Sequence, residues 1–312
     1  MNAELLLYLG LFVGSLAVLL KASDWFVDAA EKIGLSFGIS PFIIGVTIVA
    51  FGTSLPELAS SIAAVFAGDS EIVIGNVVGS NIANILLILG ITAYIAKEIK
   101  LDFDVLDIDM PFLMISAIFL WFICWDLQIT VFETVILLSC LVVFLVSSLN
   151  RNEEDENQVL PTADWKVYGM MLLGGVLVYF SANYTIEAIQ KISVIAGLDP
   201  ELIALSLVAF GTSLPEVAVS VAAARKGKTS IAIGNVMGSN IFNTFAVMGI
   251  SRLFGELVIP QSMLDFTLPF MFAVTFMFAV LTVSRIISKW EGILLLLLYA
   301  YFIGQIYQNA LS

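Results

Sequence analysis

The chain of 312 residues is too apolar for a water-soluble globule, because 60% of its residues are hydrophobic and only 12% are charged. Soluble domains carry about 25% charged and about 45–50% apolar residues, so most of this surface must face lipid. The net charge of −13 argues against nucleic acid as a partner. The absence of His removes the commonest general base and zinc ligand, and we expect no enzymatic activity.

Long apolar runs predict ten membrane-spanning helices, since crossing the hydrocarbon takes about 20 mostly apolar residues. In chain order they lie near residues 4–26, 40–67, 72–96, 107–125, 129–149, 165–187, 199–224, 230–254, 265–286 and 290–309. The connections are short, apart from one polar and acidic segment after the fifth helix. We therefore predict an all-α integral membrane protein with a first five-helix repeat over 1–149, an acidic cytoplasmic linker over 150–164 and a second five-helix repeat over 165–312.

Two sequence blocks occur twice, at one constant offset of 159 residues. The segment 49–57 reads VAFGTSLPE and recurs identically at 208–216, and the segment 74–84 reads IGNVVGSNIAN and recurs at 233–243 with two changes. The chain is therefore a duplication. Because each half holds an odd number of helices, the second half must enter the membrane in the opposite direction. Transporters commonly use such inverted repeats, with a site near the midplane.

Basic residues are distributed unevenly between the two sets of connections. If the N-terminus lies outside, the external connections hold only Lys191 and Arg252, and the cytoplasmic ones hold ten basic residues. Basic residues favour the cytoplasmic side. We therefore predict that both termini lie outside the plasma membrane. The ten basic residues are Lys32, Lys97, Lys100, Arg151, Lys166, Arg225, Lys226, Lys228, Arg285 and Lys289.

Each first block places a proline and a glutamate inside an otherwise apolar helix. Pro56 has no N–H, so the carbonyl four residues earlier loses its helical partner. Neighbouring carbonyls such as those of Ala50 and its counterpart Ala209 can then turn toward a cavity. A charged side chain at mid-membrane costs about 2.5–3.5 kcal/mol on insertion scales, and no Lys or Arg lies near the middle of a predicted helix. Glu57 and Glu216 are therefore predicted to pair with a cation.

The second block adds hydroxyl and amide oxygens to this site. Ser80 and Asn84 are four residues apart and so lie on one face of a helix, and Ser239 and Asn243 repeat them. The glycines of the block are predicted to let two helices approach closely. Oxygen ligands alone favour a hard cation such as Ca²⁺ over transition metals. The first block supplies further hydroxyls, from Thr53, Ser54, Thr212 and Ser213.

The motif Gly-Thr-Ser-Leu-Pro-Glu followed by Gly-Asn-x-x-Gly-Ser-Asn-Ile-x-Asn, present twice, resembles the α-repeats of the Ca²⁺/cation antiporter superfamily, and specifically its prokaryotic-type Na⁺/Ca²⁺ exchangers. The resemblance implies four ion positions between the second, third, seventh and eighth helices. It also implies alternating access by sliding of the paired first and sixth helices. The implied ligands are the carbonyls of Ala50 and Ala209 and the side chains of Thr53, Ser54, Glu57, Ser80, Asn84, Thr212, Ser213, Glu216, Ser239 and Asn243.

The function expected from these features is electrogenic antiport of Ca²⁺ against Na⁺. The resemblance implies no cofactor and no protein partner, only the two transported ions and the lipid bilayer. Asn243 departs from the K⁺-dependent relatives, which carry a carboxylate there, and this weakens any case for K⁺. Two alternatives remain open: a Ca²⁺/H⁺ exchanger coupled through protonation of Glu57 and Glu216, and a passive cation channel. Asp24 lies on the first helix, and Asn183 lies at the corresponding position of the sixth. These two polar residues either line an ion passage or lie at caps and interfaces.

Overall fold

The computed structural model describes residues 3–101, 109–150, 162–195 and 213–311, and these form ten helices. Eight of the ten are long and apolar enough to cross a membrane, α4 is shorter, and the described part of α7 has 12 residues. The predicted all-α membrane fold is confirmed. The helices are α1 Ala3–Ser36, α2 Pro41–Ala67, α3 Glu71–Ala96, α4 Met110–Ile123, α5 Val131–Leu149, α6 Trp165–Ile195, α7 Leu214–Arg225, α8 Thr229–Phe254, α9 Met263–Thr282 and α10 Lys289–Leu311.

The first and sixth helices are longer than their hydropathy predicts. Helix α1 continues to Ser36 instead of ending near residue 26, and α6 continues to Ile195 instead of ending near residue 187. Charged residues such as Asp28 and Glu31 end the apolar run of α1. A helix can nevertheless continue where its polar face meets water or ionic partners, and both residues pair with lysines that follow α7.

Two small clusters of connections lie at opposite ends of α3. At its C-terminal end, strand β1 (Glu98–Lys100) pairs antiparallel with strand β2 (Ile286–Ser288), and Ile99 lies opposite Ile287. At its N-terminal end, Val258 of the α8–α9 connection bridges Gln128 of the α4–α5 connection. The 159-residue offset carries Ile99 onto Val258 and Gln128 onto Ile287. The second cluster is therefore an inverted copy of the first, which confirms the inverted repeat.

Helix α8 lies at the centre of the molecule, and its most apolar stretch of 18 residues is entirely buried. Its glycines allow α2 to cross it closely. A Cβ atom at Gly234 would lie against the carbonyl of Phe42, and one at Gly238 would lie against the carbonyl of Val46. The predicted packing role is confirmed for these two glycines, but not for their counterparts in the first half. A Cβ atom at Gly79 would meet no described atom within 4 Å, and one at Gly75 would meet only the Met263 methyl group at 3.6 Å. The close crossing brings the N-terminal half of α2 against the N-terminal half of α8.

Helices α1 and α6 pack along one another and cover one side of the core, where α1 also contacts α7. The hydroxyl of Thr185 donates a hydrogen bond to Ser15 Oγ over 2.9 Å. Further along α1, Phe26 packs with its backbone against Gly174. The offset of 159 residues relates Ser15 to Gly174 and Phe26 to Thr185. The α1–α6 pair therefore follows the same inverted symmetry as the core.

Candidate ion-binding site

Two buried carboxylates form the centre of the candidate site. Glu57 lies in α2 and Glu216 in the first turn of α7, and each is 1% exposed. The two carboxylates interact electrostatically with each other. Within the described part of the chain, no lysine or arginine pairs with either one. Two carboxylates buried together need either a bound proton or a compensating positive charge, so the arrangement suits a cation.

The hydroxyl groups predicted for the site surround these carboxylates. The Ser54 hydroxyl donates to Glu216 Oε1 over 3.3 Å. The Thr53 hydroxyl contacts the Ala50 carbonyl at 3.4 Å and Asn235 Oδ1 at 3.2 Å. Ser213 is buried one turn before Glu216. The counterparts of Ala50 and Thr53, which are Ala209 and Thr212, lie outside the described residues.

The hydroxyls of Ser80 and Ser239 lie on the two inner helices. Both residues are buried, on α3 and α8 respectively. The Ser239 hydroxyl lies 3.5 Å from Asn235 Oδ1, the same oxygen that Thr53 contacts. This shared amide joins α2 to α8 through their polar side chains.

The two predicted amide ligands occupy equivalent places in the backbone. Asn84 begins the π-helical turn Asn84–Ile88, and Asn243 begins the π-helical turn Asn243–Val247. Single π-helical turns inside α-helices occur frequently at functional sites. The two turns are related by the 159-residue offset. The widened backbone therefore coincides with a proposed ligand in both halves.

The candidate site collects buried oxygen atoms that lack hydrogen-bond partners. Buried polar atoms in folded proteins nearly always have a partner, and Ca²⁺ binds about six to eight oxygens. Among the described residues, no group of three or more His, Cys, Asp or Glu side chains could hold a metal ion, so the charge of the site rests on two carboxylates. The six unpartnered oxygens of described site residues are both carboxylate oxygens of Glu57, Oε2 of Glu216, Oγ of Ser213 and Oδ1 of Asn84 and Asn243.

Sequence reasoning missed the role of two further asparagines in the second block. Asn76 Nδ2 donates to Ser61 Oγ over 3.1 Å, and Asn235 Nδ2 donates to Ser220 Oγ over 2.9 Å. These bonds tie α3 to α2 and α8 to α7. The offset of 159 residues relates both members of one pair to those of the other. That repetition was the available signal, since Ser61 and Ser220 also recur at the same offset.

Asp24 lies at an interface between helices. Lys226 Nζ lies 3.5 Å from Asp24 and 2.8 Å from Asp28, and Lys228 Nζ lies 2.7 Å from Asp28 and 2.8 Å from Glu31. Burial lowers the pKa of Lys228, but its hydrogen bonds with Asp28 and Glu31 outweigh burial and raise that pKa above its usual value. These five residues, the α1–α7 ion-pair cluster, tie α1 to the connection between α7 and α8.

Comparisons with known proteins agree with this architecture. The family described as sodium/calcium exchanger protein matches residues 7–150 and 166–307. The sodium/calcium exchanger MaX1 of Methanosarcina acetivorans is 35% identical, over 92% of this chain and 95% of that protein. An uncharacterized membrane protein of Methanocaldococcus jannaschii is 32% identical, over 97% of this chain and 99% of that protein.

A solved structure shows the same fold. The sodium-calcium exchanger NCX_Mj, soaked with Na⁺ and Sr²⁺, superposes with a TM-score of 0.84 at 32% identity, over 96% of this chain and 98% of that one. The family match extends over both halves, and relatives above 30% identity cover nearly the whole chain. The protein therefore belongs to the sodium/calcium exchanger family.

Proposed function

We propose that the protein is a secondary active antiporter that exchanges Ca²⁺ for Na⁺ across the plasma membrane. The family is one of transporters rather than enzymes. The observation that carries the proposal is the cluster of buried oxygens around Glu57 and Glu216, six of which have no hydrogen-bond partner among the described residues. Such a site suits a hard cation and leaves its charge to be neutralised by the cargo.

The proposed ligands are the twelve groups predicted from the sequence. Ala209 and Thr212 enter the proposal through the repeat alone, since they lie outside the described residues. Contacts among the described residues support the set, because Ser54 donates a hydrogen bond to Glu216 and Thr53 contacts Asn235. The full set is the carbonyls of Ala50 and Ala209 and the side chains of Thr53, Ser54, Glu57, Ser80, Asn84, Thr212, Ser213, Glu216, Ser239 and Asn243.

Alternating access by the α1–α6 pair completes the mechanism. The pair packs mainly against itself and covers one side of the core. A ring atom of Phe26 on α1 would lie 2.7 Å from a Cβ atom at Gly52, five residues before Glu57. A crevice of about 10 Å³ lies there, between α1, α6 and the proline segments of α2 and α7. Sliding of the pair would widen this crevice toward one side of the membrane and close it toward the other.

Flux measurements in proteoliposomes separate this proposal from its alternatives. Vesicles loaded with Na⁺ and diluted into Na⁺-free buffer with ⁴⁵Ca²⁺ should accumulate Ca²⁺, and monensin, which collapses the Na⁺ gradient, should abolish the accumulation. A Ca²⁺/H⁺ exchanger would instead respond to a pH gradient in the absence of Na⁺. A channel would equilibrate ⁴⁵Ca²⁺ without any counter-ion. Either result would refute Na⁺-coupled exchange.

A further inference from the structure

Two side-chain hydrogen bonds join α3 to α8 across the boundary between the halves. Asn84 Nδ2 donates to Asn240 Oδ1 over 3.1 Å, and Asn243 Nδ2 donates to Asn81 Oδ1 over 3.2 Å. All four side chains are buried, and the 159-residue offset carries one bond onto the other. The four asparagines therefore form two equivalent pairs, each made of one proposed ligand and one partner from the opposite half.

In each pair the proposed ligand uses its amino group on the partner. The Oδ1 atoms of Asn84 and Asn243 have no hydrogen-bond partner among the described residues. An asparagine amide has an acceptor oxygen on one side and two N–H donors on the other, and only the oxygen can bind a hard cation. The acceptor that holds the amino group therefore decides which end of the amide faces the ion.

We propose that Asn81 and Asn240 are positioning residues that orient the amides of Asn243 and Asn84, so that their oxygens face the transported cation. The inference rests on the proposed function, since it concerns the same site. It explains why the repeated block carries two asparagines three residues apart. Asn84 and Asn243 supply the ligands, and Asn81 and Asn240 each hold the ligand of the opposite half.

The two positioning residues are themselves held differently. Asn81 Nδ2 donates to Thr244 Oγ1 over 3.1 Å and lies 3.8 Å from Met271 Sδ. The position that corresponds to Thr244 in the first half is Ile85, which offers no acceptor. Accordingly, Asn240 Nδ2 has no partner among the described residues. Replacing Asn240 by Asp therefore keeps the acceptor for Asn84 without removing any described hydrogen bond.

A double-mutant cycle with Asn240→Ala and Asn84→Ala tests the inference. The readout is equilibrium ⁴⁵Ca²⁺ binding to detergent-purified protein, which does not require transport. Asn240→Ala should weaken Ca²⁺ binding about tenfold, since it frees the amide of a ligand to turn. In the Asn84→Ala background the same change should cost less than about twofold, because its effect passes through Asn84. Asn240→Asp should recover most of the binding that Asn240→Ala loses.

Additive losses in the double variant would overturn the inference, because Asn240 would then act independently of the Asn84 amide. Equal weakening by Asn240→Asp and Asn240→Ala would also overturn it. Should Asn240→Ala fail to give monodisperse protein, the cycle with Asn81→Ala and Asn243→Ala decides in the same way. Failure of the proposed function would look different, since wild-type protein would then show no Na⁺-driven Ca²⁺ uptake at all.

Discussion

At the scale of single residues, Glu57 and Glu216 should each be indispensable. Replacing either by Gln removes half of the negative charge of the site and leaves the side-chain volume nearly unchanged. Uncompensated loss of a buried charge partner costs about 3–5 kcal/mol, so we expect each variant to retain less than about a tenth of wild-type Ca²⁺ exchange. The measurement is Na⁺-driven ⁴⁵Ca²⁺ uptake, normalised to protein reconstituted into the vesicles.

Glu187→Gln is the matched control for these two substitutions, because Glu187 is exposed on α6. It removes the same charge away from the site and should leave uptake close to wild type. Exchange above a tenth of the wild-type rate in Glu57→Gln or Glu216→Gln would contradict the proposed site.

Most residues of the proposed site were named from the sequence, for a physical reason. A glutamate inside a membrane helix is costly, so its repetition beside hydroxyl and amide residues identifies a site without any structure. The roles proposed for Asn81 and Asn240 were not predictable in this way. They depend on the rotation and register of α3 against α8, which set the pairs that meet across the halves. Local sequence does not encode that register.

At the scale of helices, the close crossing of α2 and α8 should depend on Gly238. A Cβ atom there would lie 2.7 Å from the Cβ atom of Ala50 and would also press on the Val46 carbonyl. Overpacking of this kind costs about 1–3 kcal/mol. We expect Gly238→Ala to lower the Tm of the purified protein and to weaken Ca²⁺ binding, since Ala50 adjoins the site.

Gly304→Ala provides the control, because a Cβ atom at Gly304 of α10 meets no described atom within 4 Å. Alanine favours a helix over glycine by about 1 kcal/mol, so the Tm of this variant should be unchanged or higher. Equal Tm values for the two variants would show that the α2–α8 crossing tolerates a methyl group.

The α1–α7 ion-pair cluster should bias the position of α1. Partly exposed ion pairs contribute about 0.2–1 kcal/mol each, so removing both lysines should shift the balance between conformations by a measurable factor. The variant is Lys226→Met together with Lys228→Met. Distances between spin labels at Ser36 and Ser230 should broaden and lengthen in it, because α1 is then released from the α7–α8 connection.

Lys32→Met is the control for the cluster, since it removes an exposed charge from α1 that no described ion pair uses. Its distance distribution should match that of the wild type. An unchanged distribution in the double lysine variant would show that packing alone holds α1 in place.

Helix ends were harder to predict than helix positions. Hydropathy locates the ten spans because lipid demands apolar residues over about 20 positions. It misjudged the ends of α1 and α6, where the helices continue as charged segments outside any apolar run. The partners that stabilise the extension of α1 lie about 200 residues away in the chain. No local sequence pattern in α1 predicts these partners.

At the scale of the whole molecule, the inverted repeat predicts that the α2–α3 and α7–α8 connections lie on opposite sides of the membrane. Ser70 lies in the cluster that holds Val258, at the N-terminal end of α3, and Ser230 lies in the first turn of α8, two residues after Lys228. The distribution of basic residues predicts that Ser70 faces outside and Ser230 faces the cytoplasm. We expect an impermeant thiol reagent to label Ser70→Cys in sealed right-side-out vesicles and Ser230→Cys only after permeabilisation.

These labelling variants are made in a background with Ala at Cys124 and Cys140, the two native thiols, which form no disulfide in the structure. The background itself should remain unlabelled. Labelling of Ser230→Cys alone from outside would reverse the predicted orientation, and labelling of both from outside would contradict the opposite sidedness of the two connections.

The charge of the site predicts that exchange moves net charge across the membrane. Glu57 and Glu216 supply about two negative charges at neutral pH when ionised, which one Ca²⁺ neutralises. The proposed ligand set has enough oxygens for more than two Na⁺ ions. The protein loaded with Na⁺ and the protein loaded with Ca²⁺ would then differ in charge. If more than two Na⁺ leave a vesicle for each Ca²⁺ that enters, net positive charge moves outward.

An inside-positive potential should therefore accelerate Na⁺-driven ⁴⁵Ca²⁺ uptake, and an inside-negative potential should slow it. Each elementary charge moved is worth about 2.3 kcal/mol per 100 mV, which is large enough to change initial rates visibly. Valinomycin with chosen K⁺ gradients sets the potential while the Na⁺ gradient stays constant. Two protons per Ca²⁺ would neutralise the two glutamates and move no net charge. A rate of ⁴⁵Ca²⁺ uptake that does not depend on the potential and persists without Na⁺ would therefore favour proton coupling.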